Sequence, residues 1–344
     1  MFNWRRDSGK TINLAIQGNG AHGAFTWGVL DRLLEETELS VEGISGTSSG
    51  AVNGALVAYG LTLGGPDTAR EYLEVFWHKL ADACHQRRRP WYSLEQLLRR
   101  DRRDLSSAGV FYSVMSRLLL AYDFNSTTMN PLRRVIEETI DFERLRQSDS
   151  IRLFVNATNV RTNKIKVFDN GEITSDAVCA SSCLPFLFEP VEIDGEHYWD
   201  GGFMGNPAIF PLIQHCKASD ILLVQANPTT IAALPTTASA ILERISEISF
   251  TSTLMREMRA IAFINDLMDG GYIKRGAGMR RIRMHILEAD QGLESQGTIS
   301  KFNADWPFLQ ELHGLGRQAC ENWLSENLEQ IGRKSTVDIG QIFL

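Results

Sequence analysis

The pentapeptide Gly46-Thr47-Ser48-Ser49-Gly50 has the pattern G-x-S-x-G and stands between a strand-like run, Val41 to Ser45, and a small and apolar run, Ala51 to Tyr59, that suits a helix. A chain passes from strand to helix in so few residues only through a very tight turn. Side chains at positions 46 and 50 would collide there, and both positions are glycine. Such a turn leaves Ser48 exposed at the mouth of a sheet, beside a helix N-terminus whose unpaired N–H groups favour negative charge. The plainer alternative is a glycine turn in which Ser48 and Ser49 act as N-cap residues.

The same order of elements occurs just upstream. Thr11 to Gln17 reads as a strand, Gly18-Asn19-Gly20-Ala21-His22-Gly23 as a loop, and Phe25, Val29, Leu30 and Leu33 fall on one side of a following helix. Two successive β-turn-α units argue for an α/β fold with a mainly parallel sheet covered by helices. We expect one domain over 1–344, with a helical cap inserted at 67–142 and a helical extension over 236–344 packed on the core. Ile151 to Thr158 and Lys164 to Phe168 read as a hairpin, Ser175 to Ser182 as a short helix, Pro207 to His215 as another, and Asp220 to Gln225 as a buried parallel strand. Between 236 and 268, Ile241, Ile245, Ile248, Met255, Met258 and Ala262 recur three or four apart, a stripe that reads as core, and Met279 to Leu287 reads as a last strand.

Composition narrows the function classes. With 35 basic against 42 acidic residues and a net charge of −7, the chain offers no general attraction to nucleic acid. No apolar run approaches the length of a membrane span, and no apolar segment follows the charged N-terminus, so neither a signal peptide nor a transmembrane helix is expected. The five scattered cysteines lack CxxC spacing, which suits a reducing compartment and points to a cytoplasmic protein without a metal or other cofactor. Arg87-Arg88-Arg89-Pro90-Trp91-Tyr92 reads as a solvated charge run ahead of a helix, or as a peripheral contact with anionic lipid head groups.

Acyl transfer from an ester needs a nucleophile, a base and donors for the oxyanion. Ser48 supplies the first. Loop 18–23 follows the first strand and can bring bare N–H groups beside the elbow, with Gly20 and Ala21 singled out by position. That loop also fits G-x-G-x-x-G, a dinucleotide-binding pattern. Against a nucleotide stand two facts: the serine elbow occupies the end of the second strand, where an acidic ribose partner belongs, and the lysine of a phosphate-binding loop is missing. None of the seven histidines sits in an obvious late strand-end loop. Asp200 precedes Gly201-Gly202, which would allow close approach to its carboxylate; desolvation would strengthen it as a base, and an Asx turn is the alternative.

Taken together, Gly18-Asn19-Gly20-Ala21-His22-Gly23, the Ser48 pentapeptide, Ala180-Ser181-Ser182-Cys183-Leu184-Pro185 and Asp200-Gly201-Gly202 with Asn206-Pro207 resemble the patatin-like phospholipase family in order and spacing. The resemblance covers about Asn13 to Pro228. It implies a three-layer α/β/α sandwich and a Ser-Asp dyad of Ser48 and Asp200. It also implies an oxyanion loop of Gly18, Asn19, Gly20 and Ala21, and metal-free hydrolysis of a lipid or acyl ester. A carboxylesterase or thioesterase acting on soluble acyl groups, and a non-catalytic lipid binder of the same fold, are the alternatives. Two positions depart from the family pattern: Asn19 stands for a glycine and His22 for an arginine or lysine. If His22 replaces that cation, activity should vary with pH near neutrality.

Overall fold

The computed structural model describes residues 9–99, 131–185, 188–226, 230–231, 234–273, 279–289, 300–301 and 303–343. Strand β1 (Lys10–Ile16) leads to α1 (Gly23–Glu35), then β2 (Leu39–Gly46), α2 (Ser49–Leu63), and α3 (Pro66–Arg99). Helices α4 (Pro131–Thr139) and α5 (Phe142–Arg146) precede the hairpin β3 (Arg152–Asn159) and β4 (Ile165–Phe168), α6 (Ser175–Ser181), and the strands β5 (Val191–Ile193) and β6 (Glu196–Asp200). The chain continues through α7 (Phe210–His215), β7 (Asp220–Gln225), α8 (Ala238–Asp269), β8 (Arg283–Glu288), α9 (Trp306–Asn327) and α10 (Ile339–Phe343).

The eight strands form one sheet in the order β5-β6-β3-β2-β1-β7-β8, with β4 paired to β3 off this path. From β3 to β8 the pairing is parallel; β4, β5 and β6 join antiparallel. Both faces are covered, so side chains of one strand enter two separate cores. On β1, Ile12, Leu14 and Ile16 pack into one and Ala15 into the other; on β7, Leu222 and Val224 go one way, Ile221 and Leu223 the other. This is why Asp220 to Gln225 is almost uninterruptedly apolar. Helices α1, α2, α3 and α9 cover the first face, and α7, α8 and α10 the second.

The last strand expected within Met279 to Leu287 is β8, the edge strand of the sheet. Two expectations are revised. Helix α8 is a single helix, and only its later part meets the core: Leu254, Met258, Ile261 and Ala262 are buried, whereas Ile241, Ile245 and Ile248 are exposed. The apolar period runs past the part of the helix that has a sheet beneath it. The helix expected from Pro207 begins at Phe210. The run 87–92 lies on α3, but its side chains fall outside the described ones, as does all of 100–130 within the expected cap. Among the described residues no helix is long and apolar enough to cross a membrane.

Helices α1 and α9 cross with their backbones in contact. A Cβ on Gly28 would sit 2.0 Å from the His313 carbonyl oxygen, and one on Gly316 2.0 Å from that of Phe25. The crossing is pinned by Asp31, which accepts hydrogen bonds from Arg70 on α3 and from His313 and Arg317 on α9. Burial alone would raise its carboxyl, and these three donors instead hold it well below the usual carboxylate range. Two glycines on α9 therefore respond oppositely to alanine. Gly316→Ala must push the helices apart and should cost about 1–3 kcal/mol, whereas Gly314, where a Cβ meets nothing within 4 Å, should gain up to about 1 kcal/mol from helix propensity. Thermal unfolding of the two variants checks this: a lower Tm for Gly316→Ala and an unchanged or higher one for Gly314→Ala.

Candidate active site

Ser48 joins β2 to α2 with φ 54° and ψ −126°, a region that side-chain-bearing residues rarely adopt. The glycines around it make the turn feasible. A Cβ on Gly46 would lie 2.4 Å from the Gly50 carbonyl oxygen, one on Gly50 2.3 Å from that of Ile16, and one on Gly18 2.5 Å from the Cβ of Ser48 itself. Neighbouring polar groups hold the strained residue. The Ser48 N–H donates to Ser181 Oγ at 2.9 Å, and buried Thr47 Oγ1 lies 2.5 Å from Asn156 Oδ1 and 2.7 Å from the Gly205 carbonyl.

Asp200 ends β6. Its position follows from the ladder: Gly46 of β2 pairs with Val155 of β3, and Ala157, two residues on, pairs with Asp200. The carboxylate is 1% exposed, accepts from the Gly202 N–H at 2.8 Å and borders the same cavity as Ser48. Burial pushes its pKa up to about 7, against the opposing effect of the Gly202 N–H and the nearby Ser48 side chain. The glycines after it are required by contact. A Cβ on Gly201 would lie 2.1 Å from the Asn156 carbonyl oxygen, and one on Gly202 2.1 Å from the Phe250 ring.

Loop 18–23 lies against the elbow, and most of its N–H groups are already engaged. Gly18 donates to Asn206 Oδ1 at 2.8 Å, Asn19 to Ser49 Oγ at 3.0 Å, Ala21 to the Lys301 carbonyl at 2.8 Å and His22 to the Asn19 carbonyl at 3.1 Å. Gly20 adopts φ +57°, and its N–H meets no acceptor among the described residues. The same holds for the N–H of Ser49 in the first turn of α2. So of the four loop positions the sequence singles out, Gly20 retains a donor for an incoming group, while Gly18, Asn19 and Ala21 shape the loop. A loop with so few open N–H groups is also a poor cradle for a pyrophosphate.

His22 does not behave as a stand-in cation. It is buried, with Nδ1 3.2 Å from Asn19 Nδ2 and Nε2 2.7 Å from Ser300 Oγ. Burial and the charge of Lys301 lower its pKa to about 4. It is neutral near pH 7, which removes the near-neutral titration expected of it and leaves that range to Asp200. None of the seven histidines lines the cavity containing Ser48. The buried His–Asp pair, His285 with Asp220, sits on β7 and β8 instead.

That cavity, of about 360 Å³, is bordered by Ser48, Asp200 and Gly20. Much of its lining is apolar, including Val52, Phe76, Trp77, Leu80, Leu184 and Phe250, and its polar groups include Ser246, Glu247, Thr251 and Lys301. Sequence reasoning gave no role to Asn206 or Ser181, although both lie in the motifs it quoted, and it missed Asn156, Lys301 and Glu257. Glu257 on α8 accepts the N–H groups of Ile209 and Phe210 at 2.8 Å each, anchoring the segment that carries Asn206; burial raises its pKa to about 7.

Two solved structures resemble the chain distantly. VipD from Legionella pneumophila is 12% identical, with 92% of this chain and 67% of that one covered and a TM-score of 0.45. A chain of the SpcU–ExoU complex from the type III secretion system of Pseudomonas aeruginosa is 14% identical, with 96% and 75% covered and a TM-score of 0.29. No curated protein matches the chain. The family model for patatin-like phospholipases matches residues 14–213, more than half of the chain, and takes in the glycine loop, the Ser48 elbow and the Asp200 turn: the protein belongs to the patatin-like phospholipase family.

Proposed function

We propose that the protein is a serine lipid acyl hydrolase of the phospholipase A or lysophospholipase type, in which Ser48 is the nucleophile and Asp200 the base. The observation that carries this reading is the juxtaposition, in one cavity, of a strained serine and a carboxylate that is 1% exposed and near enough to feel its side chain. Serine is a weak nucleophile until its proton is taken, and a carboxylate in water is too weak a base to take it. Withdrawn from water, Asp200 becomes a stronger base beside the hydroxyl whose proton it must accept.

Attack of Ser48 Oγ on the ester carbonyl transfers that proton to Asp200 and places the oxyanion before the N–H groups of Gly20 and Ser49. Collapse breaks the ester bond, and Asp200 passes the proton to the departing alcohol. Water then enters and gives a proton to Asp200 as its oxygen attacks the acyl-enzyme. Release of the fatty acid returns the proton to Ser48. The largely apolar lining favours a long acyl chain over the small soluble esters of a carboxylesterase or thioesterase. A purely lipid-binding protein would have no use for a buried carboxylate beside a strained serine. The five free thiols fit a cytoplasmic protein acting at a lipid surface as a peripheral visitor.

Ser48→Ala and Asp200→Asn should each lower kcat on p-nitrophenyl acyl esters by at least about a thousandfold, with KM within a few-fold. Parental rates in either variant would remove that residue from the mechanism. Because Asp200 must be ionised to act and its pKa is raised to about 7, kcat/KM should climb about tenfold per pH unit below that value and level off above it. A profile that is flat from pH 5 to 8 would contradict the assignment. The same shift has a stability sign. A raised folded-state pKa means that the ionised form costs stability, a cost that grows as pH rises from the unfolded value through about 7. Asp200→Asn should therefore raise Tm more at pH 8 than at pH 5, as calorimetry at the two pH values would register.

A further inference from the structure

We infer that Lys301, paired at rest with Glu247, is a head-group site that selects substrates carrying a phosphodiester over neutral acyl esters. The inference rests on the lipid-hydrolase reading and names the substrate class of that same cavity. Among the described residues that border the cavity, Lys301 is the only cation, and the acids are Asp200 and Glu247. Asp200 is engaged with Ser48, so Glu247 is left to face the lysine. The Lys301 Nζ stands 3.6 Å from Glu247 Oε1, wider than a hydrogen bond, and Glu247 is shared with Arg244 at 3.2 Å through its other oxygen. Lys301 and Glu247 keep 18% and 26% of their side-chain surface exposed. The pair is loose and partly exposed, so a phosphate oxygen can replace Glu247 beside Lys301.

The placement of the lysine is fixed by its backbone. Its carbonyl accepts the Ala21 N–H at 2.8 Å, and its Cβ would lie 3.5 Å from a Cβ on Gly20. The permanent charge thus rides on the residue that buttresses the loop beside Ser48. His22, at the loop position where a cation was expected, is neutral, and the nearby charge of Lys301 helps to keep it so. Lys301 and Glu247 both lie outside the matched family segment, 14–213. Ser246, Glu247 and Thr251 come from α8, and Val52, Phe76, Trp77 and Leu80 from α2 and α3, so in this reading a single-chain lipid would lie with its acyl chain along α2 and α3 and its head group toward Lys301 and α8.

The test compares lysophosphatidylglycerol with a monoacylglycerol of the same chain, both below their critical micelle concentrations. Lys301→Met should lower the ratio of their kcat/KM values roughly tenfold, the size of one charge-assisted hydrogen bond, mainly through KM. Lys301→Arg should restore most of that ratio, and Glu247→Gln should raise it. An unchanged ratio, or equal losses of kcat on both substrates, would overturn the inference, the second by pointing to a loop-supporting or oxyanion role. Binding of dodecylphosphocholine to the Ser48→Ala protein, followed by titration calorimetry, gives a readout independent of turnover. Affinity that falls with Lys301→Met supports the site even where no ester is cleaved, so the failure of hydrolysis and the failure of head-group recognition remain distinct. Equal affinity with and without the lysine removes it.

Discussion

The arrangement at Ser48 depends on a steric constraint: three positions packed around the turn have no room for a side chain. Glycines at 18, 46 and 50 touch backbone or Ser48 where any Cβ would stand, and the serine takes a positive φ that costs on the order of 1–3 kcal/mol. The surrounding fold must supply that energy. It does so through two parallel strands buried on both faces and through hydrogen bonds to Ser181, Asn156 and the Gly205 carbonyl. A strained serine and a desolvated carboxylate are both unfavourable in isolation, and both stand at the ends of strands paired in one sheet.

Much of this was legible in the chain itself. A serine bracketed by glycines between a strand and a helix specifies its turn, because the collision that excludes other residues is local. Asp200 could be singled out because two glycines follow it, and each proves to touch a neighbour closely. Strand periodicity located β1, β3, β4 and β7 for a similar reason: residues on opposite faces enter different cores, and an uninterrupted apolar run records both.

What sequence did not reveal involves partners far apart along the chain. Whether a loop N–H is free or spent depends on Asn206 for Gly18, on Ser49 for Asn19 and on Lys301 for Ala21, separations that no local pattern encodes. His22 looked like a titrating substitute for a cation because residue type suggests a charge, whereas burial against Ser300 decides it. The α8 stripe looked uniformly internal because periodicity reports a face and not what lies beneath it; Ile241, Ile245 and Ile248 share a spacing with Met258 and none of its burial.

The register of β3 has a further consequence. Ser48 overhangs Gly46 by two residues, and Asp200 sits opposite a position two residues beyond the partner of Gly46, so the hydroxyl and carboxylate are brought level across two ladder spacings of about 4.8 Å. Most of that path is hydrogen-bonded backbone, closed by one tight turn at Ser48. Insertions or deletions in the connection at 160–164, or in the later helices between β2 and β3, can accumulate without altering that distance, whereas the segment around α6 holds both ends, through Ser181 to the Ser48 N–H and through the Cys183 carbonyl to the Asp200 N–H. The cavity can thereby change shape around the serine and the carboxylate while the two stay in place.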